Sequence, residues 1–252
     1  MIKAFNKLRF NALLKSQLNT YGKYALSEIV LVVLGILIAL QINNQNELSK
    51  ARELEKVYLK EWRSDIESNL ESSKSTIEWI EYMVPRLMLL LEESAKEQIS
   101  LPIDSLNYYL SLIQGMPTYL STDRIYNNII GSGDFKLIRS FELKNQIAAY
   151  YQLVDLIKVV QNTHELQLVN SYQPFILKKL DFQAIQGEMF DEYDMPKPVS
   201  SNLIDQVIHT REFRNIITLK LNILSDLLDQ NKDILEANRE LKALLGRLSD
   251  LD

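Results

Sequence analysis

The chain has 252 residues, with 28 basic and 33 acidic side chains, a net charge of −5 and no cysteine. The missing cysteine excludes disulfides, thiolate metal sites and thiol nucleophiles, and fits an oxidising or a reducing compartment equally well. Seven Gly and six Pro are few for this length, so long uninterrupted helices are expected rather than a loop-rich β fold.

The charge is split along the chain. Residues 1–27 carry five basic side chains (Lys3, Lys7, Arg9, Lys15, Lys23) and no acid, whereas from Glu28 onward 23 basic residues stand against 33 acidic ones. A body of that sign is repelled by phosphates, so nucleic acid is not expected as a partner. The leader, residues 1–23, suits an anionic membrane surface. Its Ile2, Phe5, Leu8, Leu13 and Leu14 beside the basic residues read as an amphipathic helix lying among lipid headgroups, with a frayed tail as the plain alternative.

Residues 24–43 form the predicted transmembrane helix. Ile29 to Leu40 contains no polar side chain, and Tyr24–Ile42 adds only Ser27, Glu28 and Gln41. At about 1.5 Å per residue, a helix of that length reaches roughly 28 Å, enough for a hydrocarbon core. No small-x-small cleavage site follows the apolar run, so a retained signal anchor is expected rather than a removed signal peptide. The Lys/Arg counts on the two sides differ by only one, five before the span and four in Asn43–Trp62. A short basic tail nevertheless resists translocation while a long domain crosses regardless of charge. The expected location is therefore a bacterial inner membrane, with the N-terminus cytoplasmic and the main domain periplasmic. Within the span, Glu28, Val32, Gly35, Ala39 and Asn43 follow a 4-3-4-4 spacing that places them on one stripe of a helix. Gly35-x-x-x-Ala39 would let another backbone approach closely, so this stripe is the predicted membrane helix-contact face.

The run from Tyr24 through Glu28 and Gly35 to Gln41-Ile-Asn-Asn44 resembles the N-terminal signature of an uncharacterised family of single-pass membrane proteins from Bacteroidota, a domain of unknown function. Tyr126-Asn-Asn-Ile-Ile-Gly-Ser-Gly133-Asp-Phe-Lys-Leu-Ile138, leading to Ala149-Tyr150-Tyr151, is similar to the same family. The chain departs from it at Ser27, where Gly is usual, and at Gln45, where Trp is usual; losing that Trp removes an interfacial anchor. The resemblance implies an envelope location and brings no activity with it.

The body is expected to be a bundle of long antiparallel helices, with its first part at 44–185. Leu59, Trp62, Ile66, Leu70, Ile77, Ile80, Val84, Leu87 and Leu91 recur at helical spacing, with a kink or break near Pro85. Pro102 opens a further helix, for which Asp104 is the expected N-cap. Gly131-Ser-Gly133-Asp134 interrupts the periodicity; no strand precedes it and no Gly-Lys-Ser/Thr follows. Gly131 and Gly133 therefore mark an interhelix turn with a glycine C-cap rather than a phosphate loop. Ser140 should cap a long helix carrying Leu143, Ile147, Tyr150, Tyr151, Val154 and Ile157, which Pro174 bends or ends.

Residues 186–201, with Gly187, Pro196 and Pro198, read as a linker to a C-terminal helix over 202–252. In that helix Leu227, Ile234, Leu241 and Leu248 fall seven apart, and Ile217, Leu224, Asn231, Asn238 and Leu245 fill complementary positions. This face could meet a partner helix. Because Leu221, Leu228 and Leu235 widen the stripe to three positions per heptad, packing within a bundle is expected ahead of an intermolecular coiled coil.

Chemistry is sparse. The only histidines, His164 and His209, sit on different predicted helices, and no metalloprotease, nucleophile-elbow or dinucleotide motif occurs. No catalytic, cofactor-binding or metal-ligating residue is assigned. Tyr108-Tyr109 and Tyr150-Tyr151 could line an aromatic site, but tyrosines of this kind are more often core residues with a polar tip at the edge. The expected function is a non-catalytic structural or interaction subunit of an envelope complex. Its partners would be membrane lipid and other envelope proteins, or further copies of itself, with no cofactor. The alternative is a helical sensor binding a small ligand outside the cytoplasm and signalling through a partner. A polar-lined cavity inside the bundle would favour the sensor, and a filled core with an exposed apolar strip would favour docking.

Overall fold

The computed structural model describes the backbone of residues 2–186 and 203–250, and the side chains of residues 26–186 and 203–248. The predicted linker, apart from Gln186, and the amphipathic face of the leader lie outside the described residues. The described residues are mostly helical, with no strand among them. They divide into two compact units, Met1–Lys56 and Val57–Asp252.

The first unit is helical throughout its described length, being the first part of α1 (Ile2–Ser94). Here lies the one helix among the described residues that is long and apolar enough to cross a membrane. From Leu26 to Ile42 every side chain is exposed, including Leu31 at 71% and Ile42 at 62%. A soluble helix hides its apolar stripe against a core. This segment, apolar but for Ser27, Glu28 and Gln41, is exposed on every side, which is compatible with a single-pass membrane anchor.

The second unit is a bundle of three long helices with a short-helix crossover. It comprises the later part of α1 from Val57, then α2 (Ile103–Ser111), α3 (Arg124–Ser132), α4 (Phe141–Gln167), α5 (Gln173–Lys179), α6 (Phe182–Gln186), α7 (Leu203–Ile208) and α8 (Arg211–Asp250). Direction follows from paired residues. Arg214 Nη2 donates to Ser94 O at 2.8 Å, Lys232 meets Glu81, and Lys242 Nζ lies 3.1 Å from Glu67, so α8 runs antiparallel to α1. Lys220 meets His164 and Arg247 meets Glu142, so α8 is also antiparallel to α4. Helices α1 and α4 are consequently parallel, and the chain must travel back along α1 between them. It does so through residues 115–134.

Local chemistry explains most boundaries. Ser140 Oγ accepts from Leu143 N at 3.1 Å, the expected N-cap of α4. Helix α1 runs through Pro85 without ending; the ring removes one backbone bond, but Met83, Leu87 and Leu90 beside it are fully buried and hold the helix to the core. Asp104 lies in the first turn of α2 rather than at its cap, which is Pro102. After α4 the backbone widens into a π turn, Leu168–Tyr172, just before Pro174 in the first turn of α5. A proline clashes with the carbonyl four residues earlier, and the wider turn relieves that clash. The helix expected from 202 is divided at His209-Thr210, where Thr210 Oγ1 accepts from Phe213 N at 3.1 Å and starts α8 afresh.

Candidate functional site

Glu28, Val32, Gly35, Ala39 and Asn43 are exposed along the whole stripe, and a Cβ built on Gly35 meets nothing within 4 Å. Within this chain that face is open.

The second predicted surface is not. Ile217, Leu224, Leu227, Asn231, Ile234, Asn238, Leu241 and Leu245 are buried, and Leu248 packs partly buried against the same core. The face packs on α1 and α4 of the same chain, as a bundle helix would, because α8 is the third long helix of the bundle. Asn231 Nδ2 donates to Leu227 O at 2.7 Å, and Asn238 Nδ2 approaches Ser73 Oγ at 3.5 Å, so both asparagines are internal polar points. What α8 leaves partly open is the third position of its stripe. Leu221, Ser225 and Leu228 face Val84, Met88, Leu91 and Glu92 of α1 across an open groove of about 330 Å³.

The interhelix turn is made by Gly133, which caps α3 in the left-handed region at φ 74. Gly131 lies inside α3, in open space, and takes no part in the reversal. Tyr150 and Tyr151 belong to the core, whereas Tyr108 is exposed and its hydroxyl meets that of Tyr82.

Two polar clusters went unread in the sequence. The first holds the return strap. Residues 115–123 lack regular structure beyond Gln114, so their backbone groups find no helical partner and must be satisfied otherwise. Side chains of α1 and α4 do this in order. Thr76 Oγ1 donates to Thr118 O at 3.2 Å, Tyr119 N donates to Gln161 Oε1 at 2.8 Å, and Leu120 N donates to Ser72 Oγ at 3.0 Å. Asn69 clasps Thr122 from both sides, accepting from its N–H at 2.6 Å and donating to its carbonyl at 3.3 Å. Asp65 accepts from Ile125 N at 3.0 Å and pairs with Arg124. Behind the clasp, Asn69 Nδ2 also donates to the Tyr150 hydroxyl at 2.9 Å, which lies 2.7 Å from that of Tyr119. Burial pushes both phenols above their ordinary range, so they act as neutral hydrogen-bonding groups. A signal was present: between Ile66 and Ile77 the only apolar side chain of α1 on the core is the partly buried Leu70, and the buried positions are Asn69, Ser73 and Thr76.

The second cluster surrounds Lys220, fully buried on α8. Its Nζ donates to Gly115 O at 2.6 Å, lies 2.5 Å from His164 Nε2 and sits 5.1 Å from the centre of the Tyr172 ring. Burial lowers the lysine to about 7. His164 falls to about 3, through burial and then the neighbouring lysine. Its Nδ1 is buried without a hydrogen-bond partner among the described residues. Gly115 is tightly packed at this point, since a Cβ there would stand 2.9 Å from Met83 Cε and 3.2 Å from Leu112 O and would make the Met83 terminus shift. The lone Lys in an otherwise apolar series of Phe213, Ile217, Leu224 and Leu227 was the readable sign.

The sequence model of a family of unknown function, DUF6090, matches residues 28–79. That match spans the apolar segment and the α1 residues that grip the strap, Asp65 through Thr76. No curated protein and no solved structure matches the chain.

Proposed function

We propose that this chain is a non-catalytic, membrane-anchored interaction subunit of a bacterial cell-envelope assembly. Its apolar helix crosses the inner membrane with the N-terminus in the cytoplasm, and the three-helix bundle lies in the periplasm. The observation that carries this reading is the uniform exposure of Leu26 to Ile42, an apolar helix with no core to cover it. Lipid covers most of such a surface. The Glu28–Asn43 stripe, with its small and polar residues, is instead the side on which another membrane helix packs, from an envelope protein or a second copy of this chain. The bundle supports docking over sensing, because the groove between α1 and α8 is apolar and open at the surface.

The test is photo-crosslinking in native membranes from single sites on opposite faces of the span. Probes at Gly35 and Ala39 should give a stoichiometric adduct, identified by mass spectrometry. Those at Val30 and Leu37, on the opposite side, should give mainly lipid adducts. Equal yields from both faces, or recovery of the uncrosslinked chain alone, would sink the reading.

A further inference from the structure

A buried lysine ordinarily sits against a carboxylate, since removing an unpaired ammonium from water is strongly unfavourable. Lys220 does not. Among the described residues no carboxylate pairs with it. The groups facing it are the His164 imidazole on α4, the Tyr172 ring on the π turn and the Gly115 carbonyl at the start of the strap; α1 contributes the thioether of Met83 behind Gly115. Tyr172 donates its hydroxyl to Gln167 Oε1 at 2.6 Å and is held neutral by burial. Three separate pieces of backbone, α8, the α4–π junction and the strap, thus meet at one amine that no anion among the described residues compensates.

We propose that Lys220, His164 and the Gly115 carbonyl form a proton-operated latch: it is tight when the amine is neutral, and it loosens the strap and the π turn from α8 when the amine takes up a proton. The direction follows from the burial. The amine sits at about 7 in the closed bundle against 10.5 when solvated, so the open form binds the extra proton throughout that interval. Opening then becomes about tenfold easier for each pH unit of descent through the interval, below which the lysine's own contribution levels off. The slightly alkaline to neutral range therefore lies on the responsive limb.

Hydrogen–deuterium exchange of the full chain in detergent micelles, corrected for intrinsic amide rates, reads the latch directly. Segments 112–119 and 164–172 should exchange more than about tenfold faster near pH 7 than near pH 8.5. Lys220→Met fills the same space without a titrating group and should remove that difference. Equal protection of the wild type at the two pH values would overturn the proposal, as would an undiminished response in Lys220→Met. If the variant does not fold, the wild type still decides. With lysine labelled at the ε-carbon, one resonance should titrate near neutrality while the rest titrate at about 10.4, and a set that all titrates at the higher value overturns the latch.

Discussion

Asn69 shows how much structure one side chain can hold. It satisfies both backbone groups of Thr122 and the hydroxyl of Tyr150, and it is fully buried. Asn69→Ala leaves a backbone N–H, a carbonyl and a phenol short of partners at once. The expected loss is about 2–4 kcal/mol, read as a lowered urea midpoint of the full chain. A substitution of exposed Ser68 one position earlier should change the midpoint little. His164 makes a separate prediction about pH. Its folded value of about 3 lies below the ordinary 6.5, so the unfolded chain binds the extra proton between them. Stability should therefore rise with pH through that window, by up to about 1.4 kcal/mol per unit, and be retained above it. His164→Phe should flatten this acid limb in a series of denaturation midpoints. A variant whose acid limb stays as steep as the wild type's would show that other groups carry it.

At the scale of elements, the two glycines of the α3 turn separate cleanly. Gly133 has φ 74, a conformation that a side chain disfavours, so Gly133→Ala should cost about 1 kcal/mol. Gly131 is helical and open, and Gly131→Ala should gain up to about 1 kcal/mol by helix propensity. Thermal unfolding of the two variants should shift in opposite directions, and a shared direction would refute this account of the turn. The sequence pointed to that turn but not to which glycine makes it, because spacing alone does not reveal a dihedral angle. What was legible depends on locality. The Ser140 cap, the apolar stripe of α4 and the inward face of α8 are encoded within a few residues of where they act. The strap is different. Asp65, Asn69, Ser72 and Thr76 look like a solvated helix face until residues more than forty positions later fold back onto them. Lys220 and His164, 56 positions apart, were likewise invisible as a pair. The split at Thr210 was missed for a converse reason, since no Gly or Pro stands there and only the threonine hydroxyl marks the new start.

At the scale of the whole molecule, the charge division and the apolar helix bear on one question, which side of a membrane each end occupies. Positive charge alone separates the flanks of the span by a single residue, too little to orient it. We propose that the basic, acid-free leader is held in the cytoplasm, while a domain of some two hundred residues crosses largely regardless of its charge. A chain without cysteine offers a clean test, because every thiol signal must come from the residue introduced. Ser16→Cys in the leader and Ser68→Cys, at an exposed position of α1, are placed on opposite sides of the span in sequence. In intact cells with a permeable outer membrane, an impermeant maleimide should label position 68 at once and position 16 only after the inner membrane is broken. Labelling in the reverse order would put the bundle in the cytoplasm and invert the orientation. Immediate labelling of both positions would remove the membrane crossing itself, and the apolar helix would then have to be covered by protein rather than lipid.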